Sequence, residues 1–177
     1  GANQERYWRQ LFENYPKDAS EGARQTVADA ILELSQSIVF ECRYSLPRWI
    51  EEFLPEALKA DQVKVWLVWD HVFDSLNRRG EEATQSALGE TRLAGRVVQR
   101  SRMTVTHGLN SPIGQLVDAI FKTARTWSLD EKEDDFSPLL QRLSSSLSAT
   151  GEGAGNAAVM ISMRYNYLFY YFAQWTK

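Results

Sequence analysis

The sequence has little of what several classes of protein need. A single cysteine, Cys42, among 177 residues excludes an internal disulfide framework and is typical of a reducing cytosol. The longest apolar run, 165–175, is interrupted by Asn166 and Gln174, and it falls short of the roughly 20 residues that span a bilayer. The sequence shows no basic-then-apolar leader. We therefore expect a cytoplasmic protein that does not enter a membrane.

Motifs for metal binding are also missing. The chain has only two histidines, His71 and His107, whereas a zinc site needs three or four ligands. Asp74 lies three residues after His71, on the same face of the predicted helix. The spacing of ligand residues that is typical of a zinc or calcium site does not accompany this pair. We expect a solvated helix edge at this position, and no metal or other cofactor.

Neither candidate nucleophile has surroundings that would activate it. Cys42 follows Phe40 and Glu41 on an apolar helix, with no histidine or helix N-terminus beside it to lower its pKa. We predict a buried structural thiol. Ser111 lies near His107 but lacks the Gly-x-Ser-x-Gly turn of a hydrolase, and its hydroxyl is suited to capping a helix. We therefore predict no catalytic residue.

The glycine-rich run 151–155 has the wrong context for phosphate binding. Loops of this kind hold anions at a helix N-terminus. Here no strand precedes the loop, no Lys-Ser/Thr pair follows it, and Glu152 would repel phosphate. We expect a linker loop over 151–156.

Helical periodicity runs through almost the whole chain, and no alternating strand pattern is convincing. Proline, glycine and capping residues divide the pattern into segments. The predicted helices cover 4–15, 20–44, 47–55, 58–79, 81–88, 91–106, 112–127, 137–147 and 157–174. The sequence therefore predicts an all-α fold, an irregular array of antiparallel helix pairs that is either an α-solenoid or bundle-like.

The length suits a single helical domain over 1–177, with a possible sub-boundary near 128–136. The chain begins without methionine, and its last predicted helix runs almost to Lys177 without a capping turn. We expect that Gly1 and Ala2 are a cloning scar and that the chain is a fragment of a longer, multidomain protein.

A basic stretch lies in the middle of an otherwise acidic chain. The net charge is −3, so no overall field attracts nucleic acid. Four arginines lie on the predicted helix 91–106, three of them in one row at four-residue spacing: Arg92, Arg96, Arg100 and Arg102. The row suits contact with phosphates, or it is a solvated face paired with nearby acids. Nucleic-acid or phosphate binding is one alternative function.

Segment 104–116 joins the basic helix to its successor. Asn110 or Ser111 is predicted to cap the helix that begins at Pro112, where the missing N–H costs nothing. We expect this motif, with His107 just before it, to fix the angle between the two helices. A weaker alternative is a small enzyme that uses His107 with Ser111 or Asn110.

The last predicted helix carries more aromatic rings than one buried face can hold. The rings that we expect at an interface are Tyr167, Tyr170, Tyr171 and Trp175. Such an excess is typical of contact with another domain or another protein.

A family resemblance lies in two runs of residues. They are Thr106-His107-Gly108-Leu109-Asn110-Ser111-Pro112-Ile113-Gly114-Gln115-Leu116 and Tyr167-Leu168-Phe169-Tyr170-Tyr171-Phe172-Ala173-Gln174-Trp175-Thr176. They resemble helix-opening and helix-closing motifs in the C-terminal helical regions of large bacterial proteins, including sirtuin-like proteins of antiviral-defence type. The likeness implies a helical-repeat module whose parent protein carries catalysis on another domain.

The resemblance transfers no catalytic residue to this chain. The chain also lacks the Rossmann-type glycine fingerprint of a dinucleotide-binding domain. The sequence therefore favours a non-catalytic recognition or scaffold module of a larger bacterial protein. Its partners would be other domains of the parent chain or a separate protein.

Overall fold

The computed structural model of the protein describes residues 2–59, 61–88, 91–98, 104–127 and 136–171. Helices α1 to α11 cover Ala2–Glu13, Glu21–Leu32, Gln36–Glu41, Leu46–Ala57, Gln62–Arg79, Glu81–Thr84, Val105–Leu109, Pro112–Thr126, Ser137–Leu147, Gly153–Met163 and Tyr165–Tyr171. Strands β1 and β2 are Thr91–Leu93 and Arg96–Val98, and they pair antiparallel. The all-α prediction is confirmed, with this one small hairpin added among the described residues.

Capping side chains begin helices where the sequence predicts them. Ser20 and Ser111 are the N-caps of α2 and α8, and each accepts a hydrogen bond from the amide three residues further on. Pro112 then occupies the first turn of α8, where it replaces an amide that has no helical partner. The observed bounds of α8 and α9 lie within a residue of the predicted ones, although α9 begins with a proline in its first turn and without a side-chain cap.

The predicted helix 20–44 is wrong as one continuous element. The α2 helix ends at Leu32, and Ser35 caps a new helix, α3, by accepting a hydrogen bond from the Ile38 amide at 3.4 Å. Ser35 was the signal in the sequence for this break. A serine side chain can accept a hydrogen bond from a nearby backbone amide, and so it favours the start of a new helix over the continuation of the old one.

The end of the chain also differs from its prediction. The α10 helix begins at Gly153, inside the predicted linker 151–156, and a break at Arg164 separates it from α11. A β-carbon at Gly153 would lie 2.9 Å from Ala149 Cβ and 3.0 Å from Ile113 Cγ1. The lack of a side chain at Gly153 therefore allows α10 to pack closely against Ala149 and Ile113, and the residue does not belong to a linker loop.

A hairpin replaces the first half of the predicted basic helix 91–106, so that prediction is wrong. The turn between the strands is Ala94-Gly95, and the two residues have φ of 48° and 77°. Positive φ at both positions suits a two-residue hairpin turn and is incompatible with a right-handed helix. The next described helix, α7, begins only at Val105.

The α8 helix lies at the centre of the bundle. It contacts α4, α5, α6, α7, α9 and α10. Its closest association is with α4, which is far away in the chain, so the bundle-like alternative describes these contacts better than a stack of sequential pairs. The largest fully buried side chains include Trp49, Leu54, Trp69, Leu76, Leu116, Ile120, Leu139 and Leu143.

Two indole groups connect distant segments through this core. The Nε1 atom of Trp69 in α5 donates to the Leu116 carbonyl at 2.9 Å, and Trp127 Nε1 donates to the Pro55 carbonyl at 3.0 Å. The predicted sub-boundary near 128–136 lies almost wholly outside the described residues. Within those residues, each helix is too short or too polar to cross a membrane.

Candidate recognition sites

The segment 104–116 folds into a tight corner between α7 and α8. Ser111 Oγ donates to the Gly108 carbonyl at 3.0 Å and accepts from the Gly114 amide at 3.0 Å. Ser111 is fully buried, so its hydroxyl satisfies two backbone groups that water cannot reach. Its role here is that of a structural cap.

Asn110 ties the corner to a neighbouring segment. Its side-chain amide donates to the Thr106 carbonyl at 2.8 Å, and its backbone carbonyl accepts from the Ala87 amide at 2.8 Å. Of the two predicted capping residues, Ser111 is therefore the one that caps α8. Pro112 is buried beside it.

The His107 ring is buried and has a local partner. Its Nδ1 atom lies 2.7 Å from Thr104 Oγ1, which also accepts a hydrogen bond from the His107 amide at 3.3 Å. The side-chain hydrogen bonds of Ser111 and Asn110 given above go to backbone groups instead. The described contacts thus hold the histidine inside the corner and do not join it to either residue of the enzyme alternative.

The other side chains that were considered for catalysis or metal binding also have surroundings that fit a structural role. Cys42 is fully buried, and burial raises the pKa of its thiol to about 11, so it is protonated and unreactive at neutral pH. His71 Nε2 lies 3.1 Å from the Leu34 carbonyl. In the part of the chain that the structure describes, no cluster of three His, Cys, Asp or Glu residues could hold a metal.

The two described arginines of the predicted row do not lie on a helix. Arg92 lies in β1 and Arg96 lies in β2. The two residues are therefore on opposite strands of the hairpin and not one turn apart on a helix. Arg100 and Arg102 lie outside the described residues. Nucleic-acid binding stays a prediction, and Arg92 and Arg96 do not share the helix face on which it depended.

The α11 helix is anchored on one side and exposes aromatic rings on the other. Leu168 is fully buried, whereas Tyr165, Phe169 and Tyr170 are 50%, 58% and 75% exposed. Tyr165 and Phe169 lie one turn apart with stacked rings, whose centroids are 6.1 Å apart. We call Tyr165, Phe169 and Tyr170 the aromatic face.

The aromatic face overlaps only partly with the predicted interface rings. Tyr167 packs against the core, with its ring centroid 6.0 Å from that of Phe121 in an edge-on arrangement. Tyr171 ends α11, and the prediction for its side chain and for Trp175 falls outside what the structure describes. Tyr165 and Phe169 belong to the same aromatic-rich helix but were not among the four rings predicted at the interface, although their spacing of four residues was a usable signal.

A groove of about 390 Å³ lies where the end of α1, the loop before α2, the α4 helix and the α7–α8 corner meet. Its aromatic lining consists of Phe12, Tyr15, Tyr44, Trp49 and Phe53. The corner contributes Asn110 and Gln115. The sequence analysis missed this groove because its lining comes from segments that are distant in the chain.

Comparison with protein-family models, curated proteins and solved structures gives no significant match to this chain. The resemblance to C-terminal regions of sirtuin-like defence proteins therefore stays a prediction that rests on its two runs of residues.

Proposed function

We propose that this chain is a non-catalytic recognition or scaffold module that binds another protein, or another domain of its parent chain, through the aromatic face of α11. The observation that carries the proposal is the contrast within this helix. Leu168 is fully buried, and three large rings on the same helix are at least half exposed. Large exposed apolar patches mark interaction sites on soluble proteins.

The aromatic face has the composition of an interface centre. Tyrosine and phenylalanine side chains bury large surface areas when a partner covers them, and the tyrosine hydroxyl can also form a hydrogen bond with the partner. Burying a large apolar side chain contributes about 1.5–3 kcal/mol. Anchoring by Leu168 and by the core-facing Tyr167 keeps the helix in place, so less conformational entropy is lost on binding.

The surroundings of the reactive groups support a non-catalytic role. The Cys42 thiol is buried, Ser111 caps a helix and His107 bonds Thr104. The resemblance to defence-type bacterial proteins supports a larger, multidomain parent with its catalytic site elsewhere. The single cysteine supports a reducing compartment, and we propose the bacterial cytoplasm.

The test compares two matched double variants of the tagged chain as bait in extracts of the source organism. Tyr165→Ser/Phe169→Ser removes two rings of the aromatic face. Val63→Ser/Leu67→Ser is the control, because Val63 and Leu67 are 70% and 52% exposed on α5. A partner captured by the wild-type chain is purified, and its Kd is measured for all three baits.

We expect the aromatic-face variant to bind at least tenfold more weakly, since each tenfold corresponds to about 1.4 kcal/mol. The α5 control should bind within about twofold of wild type. Equal binding by the two variants, or an unchanged Kd for Tyr165→Ser/Phe169→Ser, contradicts the proposal.

A further inference from the structure

The β1–β2 hairpin lies apart from the helical bundle. Among the described elements, β1 and β2 make their main contacts with each other, whereas each helix packs chiefly against other helices. Each strand has three residues, so the hairpin is about 10 Å long. We call residues 91–98 the arm.

The tip of the arm exposes an apolar side chain beside a charged one. Leu93 is 69% exposed, and Arg96, which lies directly opposite it in the strand register, is exposed as well. Opposed residues of two antiparallel strands lie on the same face of the ribbon. One face of the tip therefore combines a leucine and a guanidinium, both open to a ligand.

The turn at the tip is slim. Ala94 and Gly95 join the two strands, and both have positive φ, which gives a tight two-residue turn. Their side chains are only a methyl group and a hydrogen atom. A tip of this kind suits a narrow groove such as the minor groove of B-DNA, which is about 6 Å wide and about 7.5 Å deep, whereas a helix is at least about 10 Å across.

The charge of the arm has one sign. Arg92 and Arg96 are its two charged residues, and the stretch 91–117 contains no acidic residue. Arg92 lies opposite Val97 in the register and so belongs to the other face of the ribbon from Arg96. Salt screens charges over about 8 Å at physiological ionic strength. The two arginines therefore dominate the field at the tip, although the whole chain carries a net charge of −3.

We propose that the arm binds the minor groove of double-stranded DNA. Arginines on both faces of the ribbon suit a groove, because a phosphate backbone runs along each side of it. Leu93 enters as a wedge between two base pairs, and apolar wedges of this kind unstack a base step and bend the duplex. An acidic peptide would pair with the arginines but has no stack of bases for Leu93 to enter. This ligand is separate from the protein partner of the aromatic face.

The test measures binding and bending of the same DNA by the full chain. A duplex of about 20–30 base pairs carries a donor dye at one end and an acceptor dye at the other. Fluorescence anisotropy gives the Kd, and energy transfer between the dyes reports the bend. One duplex has a central TA step, which opens easily, and a second has a stiff A-tract. Double-stranded RNA, single-stranded DNA and polyglutamate are titrated in parallel.

We expect the chain to bind the TA duplex and to raise its energy transfer. The Kd should rise about tenfold between ~50 and ~200 mM salt, as for about two phosphate contacts. The A-tract duplex should bind more weakly, because it resists the bend. The proposal is overturned by no binding at low salt, by a Kd that ignores salt, or by equal Kd values for the two duplexes. Tighter binding of RNA, single-stranded DNA or polyglutamate overturns it as well.

Matched variants separate the charge of the arm from its wedge. Arg96→Gln should weaken binding about tenfold at low salt and remove about one phosphate contact from the salt dependence. Arg48→Gln, which removes an exposed arginine from α4, should bind within about twofold of wild type. Leu93→Ala should lose the bend, whereas Leu67→Ala, at a leucine 52% exposed on α5, should bend DNA as wild type does.

Two results with these variants overturn the proposal. One is an equal salt dependence for the two arginine variants, and the other is undiminished bending by Leu93→Ala. The wild-type titrations test the proposal even if a variant unfolds.

Discussion

Gly114 meets Gly108 backbone to backbone at the corner between α7 and α8. A β-carbon at Gly114 would lie only 2.0 Å from the Gly108 carbonyl oxygen. That oxygen also accepts the Ser111 hydroxyl, so it is held on both sides and cannot easily move away. This contact sets the direction in which the central helix α8 leaves the corner, and it places Gln115 at the groove.

Gly114→Ala should therefore destabilise the fold. We expect a loss of about 1–3 kcal/mol or more in the free energy of unfolding, as for an overpacked core, because a backbone atom must shift. Gly22→Ala in α2 is the matched control, since its β-carbon would meet nothing within 4 Å, and alanine is the better helix former. Urea unfolding measures both, and an unchanged midpoint for Gly114→Ala would falsify this account of the corner.

Ser111→Ala should lower stability by about 1–2 kcal/mol, because it removes a buried cap and leaves the Gly108 carbonyl without this donor. Asn110→Ala should cost less, since its side-chain hydrogen bond is exposed. The double variant should therefore lie close to Ser111→Ala alone. Ser20→Ala removes an exposed cap of α2 and should cost about 0.5–1 kcal/mol. Equal thermal midpoints for Ser111→Ala and wild type would contradict the capping role.

These corner residues illustrate what the sequence could and could not predict. Caps and first-turn prolines act within three or four residues, so α8 and its Ser111 cap were predictable. The hairpin was missed because Ala94-Gly95 is a weak turn signal inside a sequence that also has helical spacing. The groove was missed because Tyr15, Trp49 and Gln115 are brought together only when α4 packs against α8 and against the end of α1 with the loop that follows it, which no local pattern encodes.

Glu51 pairs with Lys122 across α4 and α8 at 3.7 Å, yet this pair should not stabilise the fold at neutral pH. Burial raises the pKa of the Glu51 carboxyl above its ordinary 4.5, although Lys122 acts to lower it. A raised folded pKa means that this group's contribution is full below the unfolded pKa and is lost as pH rises through the folded pKa.

Glu51→Gln should accordingly unfold at the same or a higher temperature than wild type at pH 7, and its advantage should shrink as pH falls toward 4. Lys122→Met is the complementary variant, and it should lower the midpoint at pH 7 because it leaves the half-buried carboxylate without its partner. Thermal unfolding from pH 4 to 8 checks both variants. A clear loss of stability in Glu51→Gln at pH 7 would contradict this account, because it would show that the attraction between Glu51 and Lys122 outweighs the cost of burying the Glu51 carboxylate.

Cys42 should be unreactive in the folded protein. Burial raises its thiol pKa from 9.0 to about 11, so iodoacetamide at pH 8 should label it only after unfolding. The raised pKa also predicts that stability falls between pH 9 and 11, where the unfolded thiol ionises first. Cys42→Ala should show less of this fall over the same range. Rapid labelling of the native chain would place the thiol at the surface and contradict the structure.

The central claim, recognition through the aromatic face, is tested most directly by site-specific photo-crosslinking in the source organism. A benzoylphenylalanine replaces Phe169 in one strain and Val63, on the exposed side of α5, in another. The account predicts a discrete crosslinked protein or domain at position 169, and none at position 63. No crosslink at position 169, or the same products at both positions, would contradict it.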